Sequence, residues 1–330
     1  MWWSWVLFLT GVLTSFQPVP IMLDTVFYLQ PVDELNFTEE FQQGWFVLND
    51  TGSAAVVLDR EGGVWRYDVG GELRLLYTEE PLSMAAGVFT GETFHGMHNI
   101  GETIRIYRVM DEVVVIDIPS DAPALDLWTL DDGSYTIERL SAPMLVVDPF
   151  GEFMYEETLR LNDPENVVRI GRIPSPHEVT STEEGLVTLW FWPLNQPIVT
   201  VDNGTGIPSV FGNINNAASH LVWRDNFDTT LYLLNFLTGE NRAIAPLNGE
   251  YVQWFFLSPN ADVILGVNVN FVPNVFVWDV ATGERFDLGP YLNCARPQPD
   301  RARLSTDGTT LVIGCDAGLQ FWRVVIDALG

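Results

Sequence analysis

Lysine is absent from this chain: all 16 cationic residues are arginine, against 44 aspartates and glutamates, and the formal net charge at pH 7 is −28. Proteins grip nucleic acid through cationic side chains that displace condensed counterions, so so acidic a surface argues against a nucleic-acid partner. The same repulsion argues against electrostatic docking on anionic lipid. Histidine and cysteine are scarce, with four and two residues in 330. Cys294 and Cys315 permit one disulfide and none of the metal-site spacings. Also missing are a Gly-x-Ser-x-Gly elbow, a phosphate-cradling glycine loop ahead of a helix, and a spaced Cys–His pair. No cofactor, metal or catalytic residue is therefore expected.

Uncharged apolar sequence is long only at the start. Residues 1–23, MWWSWVLFLTGVLTSFQPVPIML, carry no charge and read as an export signal, a membrane anchor or neither. Trp5 to Leu13 resembles a signal core, although a basic start is lacking. Pro18 and Pro20 interrupt the run before the roughly 20 residues a spanning helix needs. Export or an envelope location is thereby favoured over the cytoplasm, with membrane contact only through such an anchor.

What the rest of the chain has is short apolar runs separated by Gly, Asn, Asp and Pro, such as AAVVLD, EVVVIDI, LYLLNFL and NVFVWDV. That pattern predicts many strands joined by tight turns. A strand ending in large apolar residues recurs near Tyr67, Tyr107, Val147, Trp192, Leu234, Trp278 and Trp322, at intervals of 40, 40, 45, 42, 44 and 44 residues. Roughly 15–20 residues earlier lies a strand and polar turn, beginning at Phe46, Val88, Thr129, Arg172, Phe256 and Arg303. Four-stranded propeller blades repeat at about 40–45 residues. The expectation is an all-β, seven-bladed β-propeller of four-stranded antiparallel blades, occupying residues 24–330 as one domain.

The segments FLSPNADVILGVNVNFVPNVFVWDVATGE (256–284) and RLSTDGTTLVIGCDAGLQFWRV (303–324) carry a further likeness. Their order of strand, Ser-Pro-Asp-Gly-like turn, two strands, Trp-Asp and Thr-Gly-Glu resembles the WD-repeat β-propeller family. Trp-Asp occurs once and no blade opens with Gly-His, so a divergent, bacterial-type member is implied. The resemblance further implies that Thr25–Phe37 completes the last blade and locks the ring.

His95 and His98 are three apart on a strand, on opposite faces, and so do not form a metal pair. His177 and His220 read as incidental. Asp131, Asp132 and Gly133, like Asp307 and Gly308, fall where a blade needs its first hairpin turn. Loops between second and third strands share one face of a propeller with the links between blades. On that rim the sequence places Arg60, His98, Arg139, Trp223, Arg224 and Asp316 as partner-binding candidates, Trp223-Arg224 having the composition of a binding hot spot. Cys294 and Cys315 fall on the same rim, where an exported protein would join them.

The function these features suggest is a non-catalytic scaffold, monomeric, that binds a protein or peptide through rim loops. Two alternatives stay open: a propeller hydrolase, lactonase or glycoside-acting, with carboxylates in its central channel, and an exported ligand sensor or envelope component.

Overall fold

The computed structural model describes residues 21–22, 27–36, 41–80, 84–130, 132–157, 168–172, 177–182, 185–191, 196–204, 211–215, 218–224, 230–247, 252, 254–268, 274–291, 297–315 and 318–326. The apolar start at residues 1–20 lies outside them.

Two strands precede the first complete blade, β1 (Ile21–Met22) and β2 (Phe27–Asn36). Blade one is β3 (Phe41–Leu48), β4 (Ala54–Asp59), β5 (Gly63–Asp68) and β6 (Leu73–Thr78). Blade two is β7 (Met84–Thr90), β8 (Thr93–Ile100), β9 (Thr103–Val109) and β10 (Val113–Pro119). Blade three is β11 (Ala124–Thr129), β12 (Tyr135–Arg139), β13 (Ala142–Val147) and β14 (Phe153–Glu157). Blade four is β15 (Val168–Arg172), β16 (His177–Ser181), β17 (Leu186–Phe191) and β18 (Gln196–Asp202). Blade five is β19 (Phe211–Ile214), β20 (His220–Arg224), β21 (Thr230–Asn235) and β22 (Asn241–Pro246). Blade six is β23 (Trp254–Leu257), β24 (Val263–Asn268), β25 (Asn274–Asp279) and β26 (Arg285–Asp287). Blade seven takes β27 (Pro297–Leu304), β28 (Thr310–Cys315) and β29 (Gly318–Ile326) from the end of the chain.

Every blade is an antiparallel meander whose first strand is innermost and whose last is outermost, and the seventh is ordered β1-β2-β29-β28-β27. There β2 pairs with β29 from Phe27↔Ile326 to Asn36↔Gly318. The sequence landmarks Tyr67, Tyr107, Val147, Leu234, Trp278 and Trp322 all fall on third strands, while Trp192 lies just past β17 and outside the described residues.

The core is divided among the junctions between blades. On β4, Val56 and Leu58 pack with Phe89, Phe94 and Tyr107 of blade two, whereas Ala55 and Val57 pack with Val312, Leu319 and Phe321 of blade seven. Alternate side chains of one strand thus serve opposite neighbours, as the two-residue period of a strand requires. Similar clusters fill the junctions of blades two and three, four and five, five and six, and six and seven. Each fully buried aliphatic side chain contributes about 1.5–3 kcal/mol.

A second feature ties third strands to second strands. Trp65 pairs with Val57 and donates its indole N–H to Asp59, two residues further along β4, at 2.7 Å. Trp190 pairs with Glu178 and donates to Thr180, again two residues along, at 2.8 Å. Trp278 pairs with Ile264 and Trp322 with Leu311, and two residues along stand Gly266 and Ile313, whose side chains offer no acceptor; among the described residues the buried Nε1 of both tryptophans has no hydrogen-bond partner. We expect the near-isosteric change Thr180→Val to lower the unfolding free energy by about 1 kcal/mol, and Thr180→Ser to restore most of it, as read from urea melts.

Candidate functional site

The rim residues singled out in the sequence that fall among the described residues lie towards the expected end of their blades, but most do not face outward. Arg60 is exposed on the turn between β4 and β5. His98 lies inside β8, 1% exposed, with its Nε2 2.9 Å from the Tyr77 hydroxyl. Arg139 ends β12 with a buried guanidinium that donates to Pro143 O at 2.8 Å, Asp121 at 3.0 Å and Glu156 at 2.6 Å. Trp223 on β20 is fully buried, stacked on Tyr232 at 4.6 Å, and donates to Asn241 Oδ1 at 3.1 Å. Arg224 beside it is buried and donates from Nε to Val252 O at 3.0 Å.

His98, Arg139, Trp223 and Arg224 are therefore corrected from partner contacts to core side chains. Both faces of a second strand are covered by neighbouring blades, so residues near its end still point into a junction. Asp316 lies outside the described residues. Cys315 ends β28, buried and disulfide-bonded, and Cys294 lies outside the described residues.

The opposite face holds an arrangement the sequence did not single out. Between blades five and six opens a cleft of about 250 Å³ whose lining includes His220, Arg242, Ala261, Asp262 and Asp279 above apolar Leu233 and Val263. Two hairpin turns frame it, one joining β19 to β20 and one joining β23 to β24. They are tied together: Asn215 donates from Nδ2 to Pro259 O at 2.5 Å and accepts the amides of Ser219 and His220 at 2.9 Å. Ser258 accepts the amides of Asp262 and Val263 at 3.0 Å in the same manner.

Each of these turns contains an alanine in the left-handed region, Ala218 at φ 51° and Ala261 at φ 58°. Blades one and seven place glycines there, Gly52 at 66° and Gly308 at 74°. A Cβ in this region clashes with the backbone at a cost of about 1–2 kcal/mol, and such cost is commonly held at functional sites.

The charges in the cleft are unevenly matched. Asp279 is engaged in its own turn, accepting from Ala281 N at 2.8 Å and Thr282 Oγ1 at 2.9 Å. The Asp262 carboxylate accepts no hydrogen bond among the described residues. Its pKa is raised, first by burial and then by the neighbouring charge of Asp279, with His220 opposing. His220 is held below the usual histidine range by burial and by Arg242, with Asp262 opposing; its Nδ1 lies 2.9 Å from Ser219 Oγ. Two nearby carboxylates with one poorly satisfied favour an incoming cation. The volume falls below the few hundred Å³ typical of drug-sized ligand sites and suits a single side chain. Among the described residues no three His, Cys, Asp or Glu side chains gather to hold a metal. The cue in the sequence was the Asp of Trp278-Asp279 together with Asp262, which the repeat brings to one face of blade six.

No family model matches the chain, and no curated protein matches its sequence. Among solved structures it is similar to the WD40 β-propeller domain of Doa1, with a TM-score of 0.54 and 14% identity over 89% of this chain and 96% of that one. At that identity the likeness is one of fold: the chain is a seven-bladed β-propeller of four-stranded antiparallel blades, as its own sheets show.

Two measurements test this description. Ala261→Gly and Ala218→Gly should each raise the unfolding free energy by about 1 kcal/mol in denaturant melts. The second concerns His98, whose pKa is pushed down to about 4 by burial, with Glu79 opposing and Arg105 adding. It folds neutral, so its contribution is complete above the unfolded value near 6.5 and is lost as pH falls towards 4. His98→Gln should gain on wild type by on the order of 3 kcal/mol between pH 7 and pH 4, seen as converging or crossing melting temperatures.

Proposed function

We propose that this chain is a non-catalytic β-propeller scaffold, of a divergent bacterial WD-repeat type, that docks a protein or peptide partner by a basic side chain received between blades five and six. The observation that carries this reading is the convergence of Asp262 and Asp279 on a cleft sized for one side chain. It sits in a molecule of charge −28 without lysine. A guanidinium matches such a site because it donates several N–H groups in one plane to carboxylates. The long-range field adds to this by drawing a basic partner in and speeding encounter. Ser258 fixes the turn that carries Asp262, and Ala281 and Thr282 hold Asp279, so both carboxylates are placed before the partner arrives, which lowers the ordering cost of binding.

A short Gly-Ser peptide carrying one arginine serves as probe, with the same peptide carrying neutral citrulline as its control. Titration followed through the His220 ring resonances should give a dissociation constant on the order of 1 mM for the arginine peptide, weakening with salt. Asp262→Asn should reduce that affinity about tenfold. Equal binding of the citrulline peptide, or an unchanged affinity in Asp262→Asn, would overturn the reading.

A further inference from the structure

The outer edge of blade two is built unlike the other outer edges. An exposed edge strand offers unpaired N–H and C=O groups to any extended chain, and proteins blunt such edges with bulges, short strands, proline or charge. The other six blades do so among the described residues. The pairing of the outermost strand is shifted in register in blade one, blade three, blade four, which also carries Pro197, and blade five, which also carries Arg242. Blade six ends in a strand of three residues. In blade seven β2 contains Pro31 and a register shift, and β1 covers it.

β10 is blunted less than these: no register shift breaks its pairing, its one charge, Asp117, is held by Arg105 at 2.6 Å, and its proline, Pro119, comes only as the last residue. Its seven residues, VVVIDIP, pair with β9 without interruption from Val113↔Val109 to Pro119↔Thr103. Ile116 and Ile118 are buried in the junction with blade three, yet Val113, Val114 and Val115 are 43%, 39% and 49% exposed and Met110 beside them 61%. Three consecutive exposed β-branched residues expose apolar surface on both faces of one regular strand. It is the geometry that lets an added strand gain backbone hydrogen bonds and side-chain contacts together.

We propose that β10 is a strand-addition site that takes an extended, β-branched segment of another protein flanked by arginine or lysine. Blade seven shows that an outer edge in this molecule accepts a fifth strand: β1 lies outside β2, with Ile21↔Leu29 and Met22↔Tyr28. Charge selects the occupant. The hairpin leading into β10 bears exposed Asp111 and Glu112, and the chain as a whole carries −28. A second copy would bring like charges together along the seam, whereas basic flanks would meet opposite ones. The site lies on the circumference, apart from the cleft between blades five and six, and does not depend on it.

The probe is a synthetic peptide of alternating valine and threonine with arginine at both ends. Its control carries N-methyl groups on alternate residues, in both registers, to remove the hydrogen bonds of strand pairing. With the full chain, the unmodified peptide should slow hydrogen exchange at β10 amides, and the methylated peptides should bind at least tenfold more weakly. Val115→Lys should weaken binding at least tenfold with an unchanged melting temperature, Val115→Thr should retain it, and Asp262→Asn should leave it as in wild type. Equal binding of the methylated peptides, protection elsewhere than β10, or loss of binding in Asp262→Asn would overturn the proposal. So would β10 amides already protected in a dimer of the chain without peptide.

Discussion

Sheets such as that of blade one are apolar on both faces, and that constraint governs the rest of the structure. A strand such as β4 cannot turn one side to water, because Ala55 and Val57 need cover as much as Val56 and Leu58 do. A sheet with two sticky faces needs two neighbours, those neighbours need two of their own, and only a closed ring satisfies all of them. Polar groups are pushed to turns and to the circumference, where the acidic residues keep the molecule dispersed. Where a charge goes inside it can be fully engaged, as the Arg139 guanidinium is among Asp121, Glu156 and Pro143.

This constraint also explains which parts of the structure were legible in the sequence. The beat of 40–45 residues is covalent and survives divergence, so it located third strands at Tyr67, Tyr107, Val147, Leu234, Trp278 and Trp322. The direction in which a strand-end side chain points was not legible, since alternation carries no polar signal when both faces are buried. Trp223 and Arg224 looked like a hot spot for that reason and are core residues. The cleft was hidden for a different reason. His220, Asp262 and Asp279 become neighbours only when blades five and six are set side by side, a relation that the order of residues within one blade does not express.

The paired tryptophans show how far a repeat can drift while its sheet persists. Blades one and four keep an acceptor for the indole N–H, an aspartate in one and a threonine in the other. Blades six and seven have glycine and isoleucine at the equivalent position and leave the donor unmatched. Packing area and the backbone ladder hold these blades with one polar contact fewer each, which accounts for a fold that is plain in three dimensions when its motif is faint in sequence.

The seventh blade is woven from both ends of the described chain, β2 from the beginning and β29 from the end. On a ribosome the first of these strands emerges roughly 280 residues before its partner, so the last junction can close only once synthesis has passed residue 326. Until then a growing row of blades carries one uncovered apolar face at each end. Completion of the ring is thus a single long-range event, of the kind that slows folding and leaves nascent chains open to wrong pairing.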